Sequence, residues 1–501
     1  MKKLYSTFIV VVLSATAMAQ GFVNKYYSTP NFDAQSYDVV STSYGYIMAG
    51  ISVDTIHKPN GYFTYTVMGI DTLGNKLFQK NYGDSSYTVG AGWASLKYLQ
   101  KVGESYYSVI NKIYGSNPSN SFFKLNEWGD TLWTRDYMGD AVDSILVIDN
   151  FTKTYSGGFI LGGRAWNANS NSGDVKVVLI NIDSLGTVVW KKKYNLLTSI
   201  GAESISSILQ DSVTKKIFFM GYRGYTVYKS VFCTVDSAGN NITTKYINEP
   251  YGGVPGSIKQ LHDGNFIVAG SYNTANSVGG FVMQKSTLRK LDVHGNTLWH
   301  KEFGAEGGVN GSGTIEVLAG DTLIVGGATD TTYAKGLGFN DMFQLCKIAP
   351  NGTIIWCTQV DINPPNTCQD VFHGLALAKD GGYVMTGFFT CASPNPFLLI
   401  KLDANGCVQT NCRATALAEE QPSVEFVLYP NPASNEINVS YNITSAATLT
   451  LTNVLGQVVQ SIVLTSLSTT INANALPCGV YIATLYPTNA TVTQQKIIIY
   501  R

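Results

Sequence analysis

Short runs rich in β-branched and aromatic residues recur along the chain, and tight turn motifs separate them. Runs such as YGYIMAG and GGFILGG each precede a hairpin pattern such as RKLDVHGNTLWHKEFG. Apolar and polar positions that alternate with period two predict half-buried β-strands, and Asp or Asn close to Gly predicts the turns between them. The fold class predicted from this pattern is all-β.

The strand-turn-strand hairpin recurs seven times at a nearly constant interval. Successive turn glycines are 53 to 57 residues apart, and they are Gly74, Gly129, Gly186, Gly239, Gly295, Gly352 and Gly406. Glycine suits a turn position with positive φ. In five units an aspartate precedes the glycine where its carboxylate can bond the turn backbone: Asp71, Asp183, Asp236, Asp292 and Asp403. We expect these aspartates to have structural roles.

Each repeat holds about four strands, which we name a, b, c and d in chain order. A strand signature precedes every hairpin, and a weaker alternation, such as the one at 36–41, precedes that signature. Four-stranded sheets repeated radially form a β-propeller. Residues 20–413 are therefore predicted to be a seven-bladed β-propeller, and the segment GFVNKYY at Gly21–Tyr27 is expected to supply strand d of the seventh blade.

Tryptophan occupies one place in strand d of four units, at Trp133, Trp190, Trp299 and Trp356. A repeated aromatic residue at one place predicts a packing anchor between blades. The runs DSLGTVVW and HGNTLW loosely resemble the tryptophan-docking repeats of quinoprotein propellers, but they share only the placement of Gly and Trp. No quinone or other cofactor is predicted.

The first residues have the pattern of an export signal. Lys2 and Lys3 precede an apolar stretch at 8–13, and small residues end at Ala19 before Gln20. This pattern is typical of a Sec signal peptide, here at 1–19. No later segment approaches the roughly 18 consecutive apolar residues of a transmembrane helix. We expect a mature chain that starts near Gln20 and has no transmembrane segment.

The charge balance selects no partner. Lys plus Arg and Asp plus Glu number 34 each, so there is no net field to attract nucleic acid, anionic lipid or an acidic polymer. The low charge content and the abundance of Gly, Tyr, Asn, Ser and Thr fit a strand-rich exported protein.

Seven of the eight cysteines lie between Cys346 and Cys478, and export permits disulfides. The pairs Cys407 with Cys412 and Cys368 with Cys391 are the candidates. Spacing alone does not fix connectivity, and free buried thiols are the alternative.

The C-terminal segment, after a linker at 414–422, carries specific motifs. In order they are Tyr429-Pro430-Asn431-Pro432-Ala433-Ser434, Asn453-Val454-Leu455-Gly456-Gln457, Leu476-Pro477-Cys478-Gly479-Val480-Tyr481 and Lys496-Ile497-Ile498-Ile499. About seven strands from Val424 to Tyr500 predict a small β-sandwich of immunoglobulin-like size. The motifs and their spacing resemble the type A C-terminal sorting domain of the type IX secretion system, over Ser423 to Arg501.

This resemblance implies a Bacteroidetes protein that is secreted or held at the outer-membrane surface after Sec export and type IX secretion. Its implied partners are the secretion machinery and a surface peptidase that removes the domain, and it allows attachment to an anionic lipopolysaccharide. The residues of the sorting motif are Tyr429, Pro430, Asn431, Pro432, Gly456, Gly479, Tyr481 and Lys496. Cys478 departs from the family pattern and leaves the oxidation state of the domain open.

No catalytic or metal motif stands out. The histidines are His57, His262, His294, His300 and His373. They show no H-x-x-x-H or H-E-x-x-H spacing, and the chain has no C-x-x-C, G-x-S-x-G or phosphate-binding P-loop pattern. We predict no metal site and no catalytic residue, and we expect the histidines to be ordinary loop or strand residues.

One set of connections has the composition of recognition loops. In a propeller the a-b and c-d turns share one face, and the b-c and d-a connections share the other. The second set is long and rich in Tyr, Asn, Ser and Gly, as in RAWNANSNSG, NKIYGSNPSNS, SYNTANSVGG and TDTTYAKGLGFND. Such loops favour binding.

A carboxylate or aromatic residue near the start of strand a gives the candidate binding residues. They are Asp33, Trp93, Asp143, Glu203 and Asp370, which we expect to surround the mouth of the central channel. A cation, or a sugar stacked on Trp93, could use them, and capping of exposed strand ends is the other interpretation.

The sequence favours a non-catalytic binding body that acts as an adhesin or recognises a glycan or protein. The alternatives are a secreted polysaccharide hydrolase or lyase and a structural role in the surface layer. A glycosidase would need two carboxylates about 5 to 10 Å apart on one face, and the channel-mouth acids are the candidates.

Overall fold

The structure, a computed structural model, describes residues 21–500 apart from a set of short segments. Those segments are 28–32, 54–62, 84–87, 91–98, 115–116, 169–174, 197–202, 224–228, 248–252, 279–280, 305–310, 331–340, 363–369, 390–394, 409–425, 442–446, 455–456, 465–467 and 488–492. The chain divides into two compact units, Met1–Ala416 and Leu417–Arg501. The predicted signal peptide and linker lie outside the described residues.

Seven antiparallel sheets build the first unit, and each is one blade. Blade one contains β2 (Ala34–Ser41), β3 (Gly45–Val53), β4 (Phe63–Asp71) and β5 (Lys76–Tyr82). Blade two contains β6 (Thr88–Gly90), β7 (Leu99–Val102), β8 (Ser105–Tyr114), β9 (Asn117–Leu125) and β10 (Thr131–Tyr137). Blade three contains β11 (Ile145–Lys153), β12 (Phe159–Trp166), β13 (Lys176–Ile182) and β14 (Val188–Tyr194). In blade two, β6 and β7 are two pieces of strand a, and both pair with β8.

The remaining blades follow the same order. Blade four contains β15 (Glu203–Gln210), β16 (Ile217–Arg223), β17 (Lys229–Val235) and β18 (Thr243–Tyr246), and blade five contains β19 (Gly253–Gln260), β20 (Phe266–Val278), β21 (Phe281–Leu291) and β22 (Thr297–Phe303). Blade six contains β23 (Gly311–Val317), β24 (Leu323–Asp330), β25 (Asp341–Ile348) and β26 (Ile354–Val360). Blade seven contains β27 (Asp370–Leu377), β28 (Tyr383–Phe389), β29 (Phe397–Leu402) and β1 (Phe22–Tyr26). A short 3-10 helix, Ala319–Asp321, forms the a-b turn of blade six.

The middle strands of a blade are buried along most of their length because neighbouring blades cover both faces of the sheet. All nine residues of β3 are buried, whereas the outermost strand β5 has exposed or half-buried residues only. Strands a lie innermost. Each strand a contacts the strand a of the next blade, in the order β11, β15, β19, β23, β27, β2 and β7. β11 completes the circle because it also contacts β8 and β9 of blade two. The blades therefore form a closed seven-membered ring.

The N-terminal strand closes this ring, as predicted. β1 pairs antiparallel with β29 of blade seven, with Phe22 opposite Lys401 and Tyr26 opposite Phe397. The first and last strands of the propeller thus share one sheet, so the ring cannot open without separating them.

Tyrosines at the end of strand d join neighbouring blades. Tyr137 and Tyr194 donate hydrogen bonds of 2.7 Å and 2.8 Å to the turn-glycine carbonyls of Gly186 and Gly239 in the next blade. Tyr82 makes the same bond to Gly129. The turn glycines are therefore docking points between blades as well as turn residues.

The tryptophans of strand d pack between blades, as predicted. Trp190, Trp299 and Trp356 pack against the turn glycine of the next blade, and a Cβ on Gly406 would lie 2.6 Å from the Trp356 ring. Gly406 also has a φ of 80°, so both its conformation and its neighbour exclude a side chain. At Gly186 the nearest side chains are those of Arg135 and Tyr137. Trp133 instead packs on Tyr107 and Phe122, in an apolar cluster that blades two and three share.

The turn aspartates are structural, as expected. Asp71 Oδ1 accepts hydrogen bonds from the backbone N–H of Leu73 at 2.9 Å and of Asn75 at 2.8 Å. Asp183, Asp236, Asp292 and Asp403 each accept the same two bonds. These bonds lower the pKa of Asp183 because they stabilise its ionised form.

Two segments predicted to be loops are strands. β8 with β9 and β20 with β21 continue their pairing through the polar sequences NKIYGSNPSNS and SYNTANSVGG. Polar side chains do not prevent pairing, because the ladder is made by backbone groups. The other long connections lie largely outside the described residues.

The disulfide that the structure describes was not predicted. Cys346 and Cys357 face each other on β25 and β26 and are bonded and buried. Cys407 is also disulfide-bonded, but Cys412, Cys368 and Cys391 lie outside the described residues. Cys478 is a free, exposed thiol.

The second unit is a β-sandwich of seven strands, as predicted. It contains β30 (Phe426–Tyr429), β31 (Glu436–Tyr441), β32 (Ala447–Asn453), β33 (Val458–Leu464), β34 (Ser468–Asn472), β35 (Gly479–Pro487) and β36 (Thr493–Ile499). One sheet has the order β30-β31-β34 and the other β33-β32-β35-β36. Alternate residues of both sheets, such as Val439, Leu449 and Leu485, form its core.

Candidate functional site

A cavity of about 630 Å³ occupies one end of the central channel. Its walls are the second halves of the strands a of all seven blades, together with Tyr155 from the a-b turn of blade three. It therefore lies towards the face that carries the a-b and c-d turns, which we call the a-b face.

Five polar side chains in the cavity wall, one from each of five blades, form what we call the girdle. The girdle consists of Asp38, Asn150, Ser207, Ser257 and Thr314. All five lie at the β-bulge of their strand a. A bulge redirects side chains, and here it places a polar group at the same level of the channel in each of these blades.

Each girdle side chain bonds to the backbone of strand a in the next blade. Asp38 Oδ2 accepts from Leu99 N at 2.9 Å, and Asn150 Nδ2 donates to Ser206 O at 2.9 Å. The Oγ atoms of Ser207 and Ser257 accept from the backbone N–H of Ile258 and Ile315 at 3.1 Å and 2.9 Å. Thr314 Oγ1 donates to His373 O at 3.3 Å.

This arrangement follows from the fold. Strands a are edge strands, so their outer backbone groups face the channel without a neighbouring strand to pair with. The girdle satisfies some of these groups and at the same time ties each blade to the next. The girdle side chains therefore have a structural role, because their hydrogen bonds join neighbouring blades.

The cavity wall beyond the girdle mixes polar and apolar residues and is nearly neutral. Lys259 Nζ lies 3.3 Å from Glu316 Oε1 across the boundary of blades five and six. Glutamines from three blades also line the cavity: Gln100, Gln210 and Gln260. Gln210 bonds the backbone of Tyr155 and Lys215, and Gln260 donates to Asp211, so these two amides keep only part of their hydrogen-bonding capacity for a ligand. The wall offers hydrogen bonds to an uncharged polar ligand without a strong field of either sign.

Two of the predicted binding residues have described side chains, and both have partners. Asp33 Oδ1 accepts from Asn395 N at 2.8 Å. Asp143 is buried and bonds Lys176 at 3.2 Å and Lys193 at 2.6 Å. Burial would raise the pKa of Asp143, but the two lysines outweigh it and the pKa is lowered.

These two aspartates lie at the opposite end of the strands a from the cavity, since the cavity wall of blade one begins at Asp38. The structure does not describe the side chains of Glu203 and Asp370, and Trp93 lies in the segment 91–98. The cavity itself was not predicted. The sequence contains only a weak signal for it, namely polar residues such as Asp38 and Asn150 in the middle of strands a.

Two further titratable groups, one fully buried and one partly buried, lie at bulges of strands a. Asp149 accepts from Ser204 Oγ at 2.9 Å and lies 3.6 Å from Arg164 Nη2, and burial raises its pKa to about 6. The His373 ring lies 4.9 Å from Tyr37 and 5.5 Å from Phe388, and burial lowers its pKa to about 4. Both side chains sit between blades, away from the cavity.

The other histidines form no shared site in the described part of the chain. His262 Nδ1 lies 2.6 Å from Asp321 Oδ1 on the a-b face, and His57 falls in an undescribed segment. The described residues contain no group of three or more His, Cys, Asp or Glu side chains arranged to hold a metal ion. None of their helices is long and apolar enough to cross a membrane.

In the second unit, the sorting motif is built around the edge of β36. Asn431 Nδ2 donates to Lys496 O at 2.8 Å, and Asn431 Oδ1 accepts from Ile498 N at 3.0 Å. Ala433 continues this pairing through a 2.8 Å bond to Ile498 O and a parallel bridge to Ile499. The side chain of Asn431 thus substitutes for one residue of a neighbouring strand.

The remaining motif residues hold nearby turns and strands. Tyr481 is buried and its hydroxyl donates to Pro477 O at 2.8 Å. Pro430 and Pro432 both follow cis peptide bonds, and Gly479 begins β35. Gly456 lies outside the described residues.

Comparisons with solved structures return strand-rich proteins of low identity. PorZ, an essential surface component of the type IX secretion system of Porphyromonas gingivalis, is 13% identical over 93% of this chain and 70% of its own, with a TM-score of 0.29. Trypanosoma rangeli sialidase in complex with sialic acid is 9% identical over 86% and 87%, with a TM-score of 0.45.

The periplasmic gluconolactonase PpgL of Pseudomonas aeruginosa is 10% identical over 74% of this chain and 99% of its own, with a TM-score of 0.39. No curated protein matches the chain in sequence. At these TM-scores none of the similarities bears on what the propeller binds.

The family comparison agrees with the motifs and the sandwich of the second unit. Residues 427–500 match the family model described as the secretion system C-terminal sorting domain. The match includes Asn431 and its partners on β36. This protein is therefore a seven-bladed β-propeller that carries a type IX secretion C-terminal sorting domain, which directs it to the cell surface or outside the cell.

Proposed function

We propose that the propeller is a non-catalytic binding body and that its ligand enters the cavity at the a-b face. The observation that carries this proposal is the cavity itself, which has a volume of about 630 Å³ and walls from every blade. Concave sites of this size with a few convergent polar groups are typical of ligand binding. A closed ring also keeps the walls rigid, which lowers the entropy lost on binding.

The carboxylates of the cavity favour binding over hydrolysis. A glycosidase uses two carboxyl groups about 5 to 10 Å apart, one of them as acid or base. The carboxylates among the described wall residues are those of Asp38 and Glu316. Asp38 accepts hydrogen bonds from the backbone N–H groups of Leu99 and Val39, and Glu316 is paired with Lys259. A polysaccharide hydrolase or lyase remains the alternative, and release of reducing ends from polysaccharides by the purified protein would establish it.

A blocked cavity tests the proposal. Thr152 lines the cavity, so Thr152→Trp should fill part of it, whereas Thr243→Trp places the same side chain on the exposed edge strand β18. The mature full-length protein is screened by thermal shift against panels of oligosaccharides, peptides and small polar metabolites. The expected result is a ligand that stabilises the wild type and Thr243→Trp but not Thr152→Trp. A ligand that stabilises all three equally would show that binding does not use the cavity.

The sorting domain also suggests partners. We propose that the type IX machinery recognises residues 423–501 and that a surface peptidase then removes them. Deletion of 423–501 should leave the propeller in the periplasm of a host with this system. The intact mass of the exported wild type should correspond to a chain that ends near the linker. An exported protein that keeps its C-terminus would contradict removal.

A further inference from the structure

A half-exposed aromatic stack lies on the a-b face. The Tyr44 and Trp128 rings have centroids 5.0 Å apart and planes inclined by 20°. Phe78 supports both, with its centroid 6.4 Å from that of Tyr44 and 6.0 Å from that of Trp128. The Tyr44 hydroxyl donates to Glu127 O at 2.6 Å. The two rings, which we call the platform, are therefore held in place while Trp128 stays 49% exposed.

The fold does not require an aromatic residue at this place. Trp128 directly precedes the turn glycine Gly129, and the same place is taken by Leu73 and Leu185 in blades one and three. Both leucines are more exposed than Trp128, at 79% and 63%. The indole of Trp128 therefore has an exposed surface that the turn does not need, and this surface is free to contact a ligand.

Polar groups lie beside the platform. Glu127 Oε2 accepts from Ser43 Oγ at 2.6 Å, and Lys379 Nζ donates to Ser43 O at 3.3 Å. A carboxylate acceptor and an ammonium donor thus flank the a-b turn that holds Tyr44. An aromatic face with hydrogen-bonding groups at its edge matches a pyranose ring, which has an apolar C–H face and hydroxyl groups around its rim.

The a-b turn that carries Tyr44 follows directly on the cavity wall of blade one. Ser41 and Leu377 line the cavity wall, each two residues before Ser43 and Lys379 respectively. A chain of sugar units could therefore extend from the cavity onto the platform. We propose that Tyr44, Trp128, Glu127 and Lys379 form a saccharide subsite for a neutral glycan whose end occupies the cavity; this rests on the proposed function of the propeller.

A glycan array tests the subsite with the mature full-length protein. The array carries neutral oligosaccharides and, for comparison, sialylated and sulfated ones. Wild type should bind a subset of the neutral glycans, and Trp128→Ala should bind them about tenfold more weakly because the stacking surface is lost. Leu185→Ala is the matched control, since it truncates an exposed residue at the same turn position, and it should bind as wild type does.

The outcomes separate this inference from the proposed function. Equal binding by Trp128→Ala and wild type would overturn the subsite, and so would an array on which wild type binds no neutral glycan. Loss of binding in Thr152→Trp with full binding in Trp128→Ala would confine the ligand to the cavity, which rejects the platform and keeps the proposed function. Circular dichroism of each variant checks that it is folded.

Discussion

The Tyr26 hydroxyl donates a 2.7 Å hydrogen bond to the carbonyl of Gly74, which lies 48 residues further along the chain. Tyr26 belongs to strand d of blade seven, and Gly74 is the turn glycine of blade one. Asn24 Nδ2 donates to the same carbonyl at 2.9 Å. The bond that joins successive blades elsewhere in the ring is therefore repeated where the two ends of the propeller meet.

Removing this hydroxyl should weaken the closure of the ring. Tyr26→Phe deletes this buried hydrogen bond and the 3.0 Å bond that Asn24 Nδ2 donates to the Tyr26 hydroxyl. Asn24 still satisfies the Gly74 carbonyl, so the free energy of unfolding should fall by about 1 kcal/mol. All seven tryptophans lie in the propeller, so urea unfolding followed by tryptophan fluorescence reports on this unit alone. Tyr27→Phe, at a residue that is 45% exposed, is the control and should match wild type. A Tyr26→Phe protein of wild-type stability would show that this bond does not hold the ring.

The seven blades, the closing strand and the turn aspartates could be predicted because each depends on a local pattern repeated along the chain. Gly74 and its equivalents needed only a constant spacing and a positive φ. The girdle, Asp149 and His373 could not be predicted, since their positions depend on β-bulges, and a bulge changes which way a side chain points. The period-two alternation of apolar and polar residues does not show where such a bulge lies.

The disulfide was missed for a similar reason. Cys346 and Cys357 become partners through the register of β25 and β26, and spacing in the sequence does not fix a register. The platform was missed because Tyr44 and Trp128 come from different blades. Only the arrangement of the blades brings these two rings together.

Asn431 should be required for the sorting domain to keep its C-terminal strand in place. Asn431→Ala removes both side-chain bonds to β36, so the Ile498 amide should exchange with solvent faster and export should fall. Hydrogen exchange by mass spectrometry and the exported fraction in a host with a type IX system measure the two effects. Asn435→Ala truncates another exposed asparagine of the same segment, whose backbone carbonyl keeps its bond from Ala473 N. Normal export of Asn431→Ala with fast Ile498 exchange would show that the machinery does not read the docked strand.

The cross-strand disulfide of blade six should stabilise the propeller. Cys346 and Cys357 are 11 residues apart, and closing a loop of that length in the unfolded chain corresponds to about 2 to 3 kcal/mol. The double variant Cys346→Ala with Cys357→Ala should unfold at correspondingly lower urea. Non-reducing peptide mapping should find the two cysteines linked in wild type, and two alkylated thiols there would contradict the assignment.

Asp149 should make the propeller less stable as the pH rises. Its pKa is raised to about 6 by burial, against 3.8 for the exposed group, so the folded state holds this proton more tightly than the unfolded state. Stability from this group is present below pH 4 and is lost as the pH rises through 6, by up to about 3 kcal/mol. Asp149→Asn cannot titrate, so relative to wild type it should gain stability between pH 4 and pH 7 in urea unfolding. An unchanged difference across this range would show that Arg164 keeps the carboxylate ionised throughout.

His373 should act in the opposite direction over the same range. Its pKa is lowered from 6.5 to about 4 because the ring is buried between Tyr37 and Phe388. The unfolded state therefore takes up a proton first as the pH falls, and stability that is present above pH 6.5 is lost on acidification through 4, by up to about 3 kcal/mol. The terms from Asp149 and His373 offset each other in wild type, so its stability should vary little between pH 4 and 6.5 on account of these two groups. His373→Phe removes one of them and fits the same aromatic surroundings, and its urea midpoint should rise on acidification over this range. If the urea midpoint of His373→Phe instead falls on acidification, as steeply as that of Asp149→Asn, other groups control the acid response.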